Sequence, residues 1–190
     1  MYTPSVIERV GKTSKVYDIP SKMLEDRIVF LNEEINEDTS NSVIMQLLWL
    51  ASDNPDEPID LYIKSPGGSV YCGLAIRDIM DKIPCKVNTI AMGMVASMGA
   101  YLLAAGTGTR KALKNSRIMI HSVSSGTQGT IIDMEVDYKE TKYLNDKLMV
   151  DIANFSKDKM TVEDVEKYCQ RDYYMSPDDA IKYGLIDEKI

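Results

Sequence analysis

The chain has 190 residues, 44% of them hydrophobic and 27% charged, which is enough for one large buried core and a single domain over residues 1–190. Its net charge of −7 counts against nucleic acid or an anionic membrane as a partner. Three scattered cysteines, Cys72, Cys85 and Cys169, lack metal-ligand spacing and fit a reducing cytosol; no apolar stretch reaches the length of a membrane span, and the N-terminus lacks a signal-peptide core.

Residues 1–14, with Pro4 and Gly11, have weak periodicity and read as an arm or loop. A short turn is expected at 23–25 and a strand at 27–31, RIVFL. Residues 36–52 repeat Val43, Leu47 and Leu50 at helical spacing. A polar loop with two prolines, 53–58, separates that helix from the strand IDLYI, 59–63. SPGGS, 65–69, then opens a helix carrying Cys72, Ile76, Ile79 and Ile83 on one face. Residues 86–91 form a strand leading to GMVASMGAYLLAAG, 93–106. A turn at 107–110 follows, and 112–113 with 117–120 are expected to form a short hairpin. Residues 122–129 are small and polar. Residues 132–138 alternate like a strand, but Leu144, Leu148, Ile152 and Phe155 repeat like a helix. The absence of Gly and Pro from 130 to 159 favours one long helix. A capping box at 161–164 starts a helix to about Cys169, and Ser176-Pro177 starts another that ends at Gly184. Strands alternating with helices imply an α/β architecture.

Chemistry concentrates in two stretches. In 93–106, Ser97 sits at or just inside a helix start, where unpaired N–H groups and the helix dipole stabilise developing negative charge. The stretch supports either a serine that caps a core helix or a serine nucleophile. It is not a G-x-S-x-G elbow, because Val95 takes the first glycine position. His121 is the single histidine, so a serine hydrolase with an imidazole base has one candidate. The paired glycines of SPGGS read either as an ordinary strand-to-helix turn or as a cradle of free N–H groups; no Gly-Lys-Ser/Thr follows, which disfavours a nucleotide loop.

Together these pieces resemble the Clp protease proteolytic subunits nearly end to end. The resemblance is carried by DRIVFL (26–31), QLLWL (46–50), LYIKSPGGSV (61–70), GMVASMGAYLLAAG, NSRIMIH (115–121), RDYYMSP (171–177) and the YGLID that ends at Asp187. It implies a crotonase-like α/β fold of repeated ββα units. Residues 124–156 would form a handle with a long helix, and 1–16 an N-terminal arm or axial loop. It further implies a cytoplasmic ATP-dependent protease that cleaves unfolded chains delivered by an AAA+ ATPase. Seven subunits would form a ring and two rings a barrel, from one subunit type or with a second paralogue. Ser97 would be the nucleophile, His121 the general base and Asp172 its orienting carboxylate. The N–H groups of Gly68 and Met98 would form the oxyanion hole, with no metal or organic cofactor required. Gln170 and Arg171 match the ring–ring interface, and Tyr62, Ile90, Met92 and Leu113 match the ATPase-docking pocket.

The departures from the family pattern fall at those interfaces. Gln170 stands where an acid usually precedes the arginine, and Ser122-Val123 with 124–126 (SSG) replaces the usual Gln-Pro and Leu-Gly-Gly. Asp60 and Lys111 hold docking positions that are often aromatic, Lys114 stands for a common proline, and Lys64 for a common asparagine. These changes keep open a weakly active or structural ring partner as an alternative to an active subunit. An acyl-CoA hydratase or isomerase would share the fold class, but it needs carboxylates where this chain has Ser, His and Asp.

Overall fold

The computed structural model describes residues 4–11 and 13–190. Where an irregular arm was expected, strands β1 (Ser5–Val10) and β2 (Thr13–Asp18) pair antiparallel, with Val6 opposite Tyr17 and Ile7 opposite Val16. Ile7 and Val16 are each 67% exposed, so this hairpin has no buried face to impose a readable alternation. Residues 1–3 and Lys12 of the expected arm lie outside the described residues. The turn expected at 23–25 is the end of helix α1 (Ile19–Glu25), which starts early because Asp18 accepts a hydrogen bond from the Ser21 N–H at 2.7 Å and Pro20 presets the first turn.

From there the chain alternates as expected. Strand β3 (Ile28–Leu31) leads to helix α2 (Glu37–Asp53), opened by a reciprocal cap between Asn36 and Thr39. Strand β4 (Ile59–Ile63) leads to helix α3 (Val70–Lys82), capped by Ser69. Strands β5 (Val87–Ala91) and β6 (Met94–Ala96) precede helix α4 (Met98–Ala104). Strands β7 (Arg110–Ala112) and β8 (Arg117–Ile120) precede the long helix α5 (Ile131–Phe155). Helix α6 (Val162–Cys169), strand β9 (Tyr173–Met175), helix α7 (Pro177–Lys182) and strand β10 (Glu188–Lys189) complete the chain.

The strands sort into a five-stranded parallel sheet, β10-β7-β5-β4-β3, and a smaller sheet, β6-β8-β9. The hairpin expected from 112–113 and 117–120 does not form. β7 pairs with β5 in the large sheet and β8 with β6 in the small one, both parallel. Local sequence cannot reveal partners that lie some twenty residues back. Each of β5–β6–α4 and β7–β8–α5 steps from the large sheet to the small one and then into a helix, which is the repeated ββα unit. Gly93, at φ +66, supplies the bend of the first step, and its carbonyl accepts from the Arg117 N–H of the second at 2.7 Å.

Alternation along β4 buries Ile59, Leu61 and Ile63 against Leu47, Leu50, Ile76, Leu102 and Leu103 and turns Asp60 and Tyr62 to the other, partly exposed face. The C-terminus is tied down by an ion pair. Arg110, with a side chain 3% exposed, binds both carboxylate oxygens of Asp187 at 2.7 and 3.1 Å, and Lys157 reaches the same group at 2.8 Å. Burial alone would raise the Asp187 pKa; the hydrogen bonds from Arg110 and Lys157 outweigh it and hold the carboxyl well below its usual range.

Candidate active site

Ser97 joins β6 to α4 with φ +54 and ψ −126, backbone angles that a non-glycine residue adopts only where its surroundings enforce them. The enforcement is visible: the Ser97 N–H donates to Met119 O at 2.8 Å and the Ala96 N–H to Ser65 O at 2.9 Å. Ser97 is the N-cap residue of α4, yet its side chain makes no capping bond. Its Oγ lies 2.8 Å from Nε2 of His121 instead. Of the two readings open for this serine, capping is therefore not what the hydroxyl does.

His121 follows β8, and Asp172 precedes β9. Because β8 and β9 run antiparallel with Ile120 opposite Tyr173, the two side chains leave adjacent strand ends. Asp172 Oδ1 is 3.1 Å from His121 Nδ1. The parallel pairing of Ala96 with Met119 brings Ser97 to the same strand ends. Sheet register thus brings together three residues that are far apart in sequence. The His121 side chain is 26% exposed and that of Asp172 54%, so the row runs from the interior toward solvent.

The loop after β4 closes over the serine. A Cβ on Gly67 would stand 2.6 Å from Ser97 Cβ, 2.9 Å from Ala96 O and 3.0 Å from Met98 N, and Gly67 has φ +97. A Cβ on Gly68, at φ +146, would strike Ile35 O at 2.2 Å. At Gly68 the backbone of residue 35 approaches too closely for any side chain; of the paired glycines, Gly67 is the one that touches the serine. The bonds holding this loop run from Gly67 N to Ser65 Oγ, Ile35 N to Gly67 O and Ser69 N to Ile35 O, and none uses the Gly68 N–H. Met98 is the first residue of α4, where an N–H has no intrahelical acceptor.

Beside Ser97 opens a narrow pocket of about 60 Å³. Its walls are Val70, Met98, Tyr101 and Ile120, with Leu148, Met149 and Ile152 from α5. Leu148 and Ile152 were legible as one helical stripe, but nothing in the sequence tied that stripe to the serine. Cys169 comes close, since its carbonyl accepts from the Ser122 N–H and Oγ at 2.8 Å each; burial pushes its thiol up to about 12, so it is no thiolate nucleophile near neutral pH.

The remaining sequence candidates lie elsewhere. Tyr62 and Ile90 are register partners on the partly exposed face of the large sheet, Met92 follows β5, and Leu113 donates its N–H to Ala91 O at 3.0 Å. Asp60 and Lys111 on that face are paired within the chain, Asp60 to Asn88 at 2.7 Å and Lys111 to Glu188 at 3.1 Å. Gln170 and Arg171 are exposed at the end of α6, directly before Asp172.

A family model for Clp protease matches residues 11–190. The chain belongs to the Clp protease family. The ATP-dependent Clp protease proteolytic subunit of Deinococcus radiodurans is 48% identical over 188 residues, covering 98% of this chain and 91% of that protein. The ATP-dependent Clp protease proteolytic subunit 1 of Prochlorococcus marinus subsp. pastoris is 43% identical over 185 residues, covering 97% and 93%. As a Clp protease proteolytic subunit, the chain is a serine endopeptidase. Among the described residues no helix is long and apolar enough to cross a membrane.

Proposed function

We propose that this Clp protease cleaves peptide bonds with Ser97 as nucleophile, His121 as general base and Asp172 as the group that orients the imidazole. The observation that carries the reading is the Ser97 hydroxyl, held by an unusual backbone conformation at 2.8 Å from His121 Nε2. In this reading the His121 Nδ1–H donates a hydrogen bond to Asp172, which leaves Nε2 free to take the hydroxyl proton as Oγ attacks the scissile carbonyl. The N–H groups of Gly68 and Met98 receive the oxyanion. His121 returns its proton to the leaving amine, and the same imidazole then activates the water that releases the acyl group from Ser97. The apolar pocket suits an apolar side chain on the acyl side of the cleaved bond.

The finer picture of a cytoplasmic, ring-forming enzyme fed by an AAA+ ATPase has supports of its own. The names of the two relatives include ATP dependence. Ile131, Ile132, Val136 and Tyr138 are exposed on α5, and Met45 and Trp49 on α2; large exposed apolar patches mark interaction sites. Such faces fit contacts between copies within and between seven-membered rings. On the docking face around Tyr62, Ile90, Met92 and Leu113, Lys111 is ion-paired with Glu188 and Asp60 accepts a hydrogen bond from Asn88. Ser97→Ala is expected to abolish hydrolysis of a fluorogenic peptide while the sedimentation profile stays that of wild type. An active preparation that keeps its full rate after this change would overturn the assignment.

A further inference from the structure

Tyr101 lies one turn beyond Ser97, with its N–H on Ser97 O at 3.1 Å, and is 2% exposed. One side of it lines the pocket beside the serine; its ring meets Phe155 of α5 edge-on, with centroids 5.4 Å apart. A phenol this deep must place its hydroxyl on an acceptor, because an unpaired buried polar group is costly. It does so on α5, donating to Asp151 Oδ2 at 2.8 Å. Asp151 also accepts from Lys147 Nζ at 2.9 Å, and its side chain is 22% exposed. Among the described residues this is the only side-chain hydrogen bond between α4 and α5. Leu148, Met149 and Ile152, the α5 wall of the pocket, all lie within one turn of Asp151.

Apolar contacts alone would let that wall slide or tilt, since they are non-directional. The phenol–carboxylate bond is directional and charge-assisted. Burial and then the bond to Asp151 raise the Tyr101 pKa well above its ordinary value, so the phenol stays a donor throughout the working range.

We propose that the Tyr101–Asp151 bond is a clasp that fixes the distance between the nucleophile's helix and α5, and so sets the largest substrate side chain the pocket accepts. Tyr101 and Asp151 are then positioning residues for specificity. The inference rests on Ser97 being the nucleophile, and its test separates the two. Full-length assembled protein is titrated with a fluorophosphonate, and rates are normalised to labelled Ser97. kcat/KM is then measured for fluorogenic peptides that differ only in carrying Leu or Trp before the cleaved bond. Tyr101→Phe and Asp151→Ala each remove the clasp and are expected to raise the Trp-to-Leu ratio at least five-fold. Asp151→Asn, which keeps an acceptor for the phenol, is expected to hold the ratio within two-fold of wild type. Lys147→Met, which removes only the outer ion pair, is expected to do the same. Failure of wild type to label at Ser97 would strike the catalytic assignment. Normal labelling with an unchanged ratio in either clasp-breaking variant, or an equal shift in Lys147→Met, would overturn the clasp.

Discussion

Replacing Gly67 by alanine tests how tightly the loop after β4 is fitted to the serine. The added Cβ would stand 2.6 Å from Ser97 Cβ and 3.0 Å from Met98 N. Carbon atoms in contact normally sit about 3.5–4.0 Å apart, so the serine or the loop must move by about 1 Å. A misplacement of about 1 Å at reacting groups can cost about 10²-fold in rate. The φ of +97 adds a backbone penalty of about 1–3 kcal/mol for any side chain. That penalty leaves most of a typical domain's stability in place. The expected result is a kcat lowered about 100-fold, a KM within a few-fold of wild type, and an assembled protein with a lower Tm. Steady-state kinetics on a short fluorogenic peptide, with thermal unfolding of the same samples, measures all three. A variant with wild-type kcat would refute the claim that this contact positions the serine, and with it the fit of the loop to the catalytic turn.

Asp187→Asn removes the counter-charge of the Arg110 guanidinium, whose side chain is 3% exposed and keeps its bonds to Ala104 O and Phe155 O. Breaking a buried pair costs about 3–5 kcal/mol; with Asp187 itself 26% exposed, a loss at the lower end of that range is expected in the unfolding free energy from urea denaturation at pH 7. The folded-state pKa of Asp187 is depressed, so its stabilisation is complete above about pH 4 and fades as the pH falls further. The difference between wild type and variant should therefore shrink in acid, and a difference that grows there would contradict the pairing. Gln170→Glu places a carboxylate beside Arg171 at the proposed ring interface, where a charge-assisted bond is roughly twice as strong as a neutral one. Sedimentation at matched concentration and salt should show the variant shifted toward the double ring with higher peptidase activity. A wild type that is already a stable, fully active double ring, unchanged in the variant, would leave Gln170 without a role in assembly.

Most of the parallel-sheet layout was legible because β3, β4 and β5 are short apolar runs bounded by capped helices. Pairing across distance was not. β7 and β8 look like neighbours in sequence, yet each pairs in parallel with an earlier strand, a relation that periodicity does not encode. The N-terminal hairpin left no pattern because Ile7 and Val16 face solvent. At the site, Ser97 and His121 could be singled out as a candidate nucleophile and base because they are distinctive residue types in their settings, and Asp172 only because its motif resembles the family's. The contact of Gly67 with the serine and the role of Tyr101 were not legible, for the opposite reason. A glycine in a turn and a tyrosine in an apolar helix are common, and only the 2.6 Å approach of the first and the Asp151 partner of the second give them meaning.

The central claim is that Ser97 attacks with the help of His121. Its most direct test is peptide mapping by mass spectrometry after the assembled protein meets a fluorophosphonate, for wild type and His121→Ala in parallel. One adduct per chain, on Ser97, is expected in wild type. Its formation should slow by about 10²–10⁴-fold in the variant, the range that loss of a positioned base produces. An adduct on any other residue, or equal rates in the two proteins, would contradict the account.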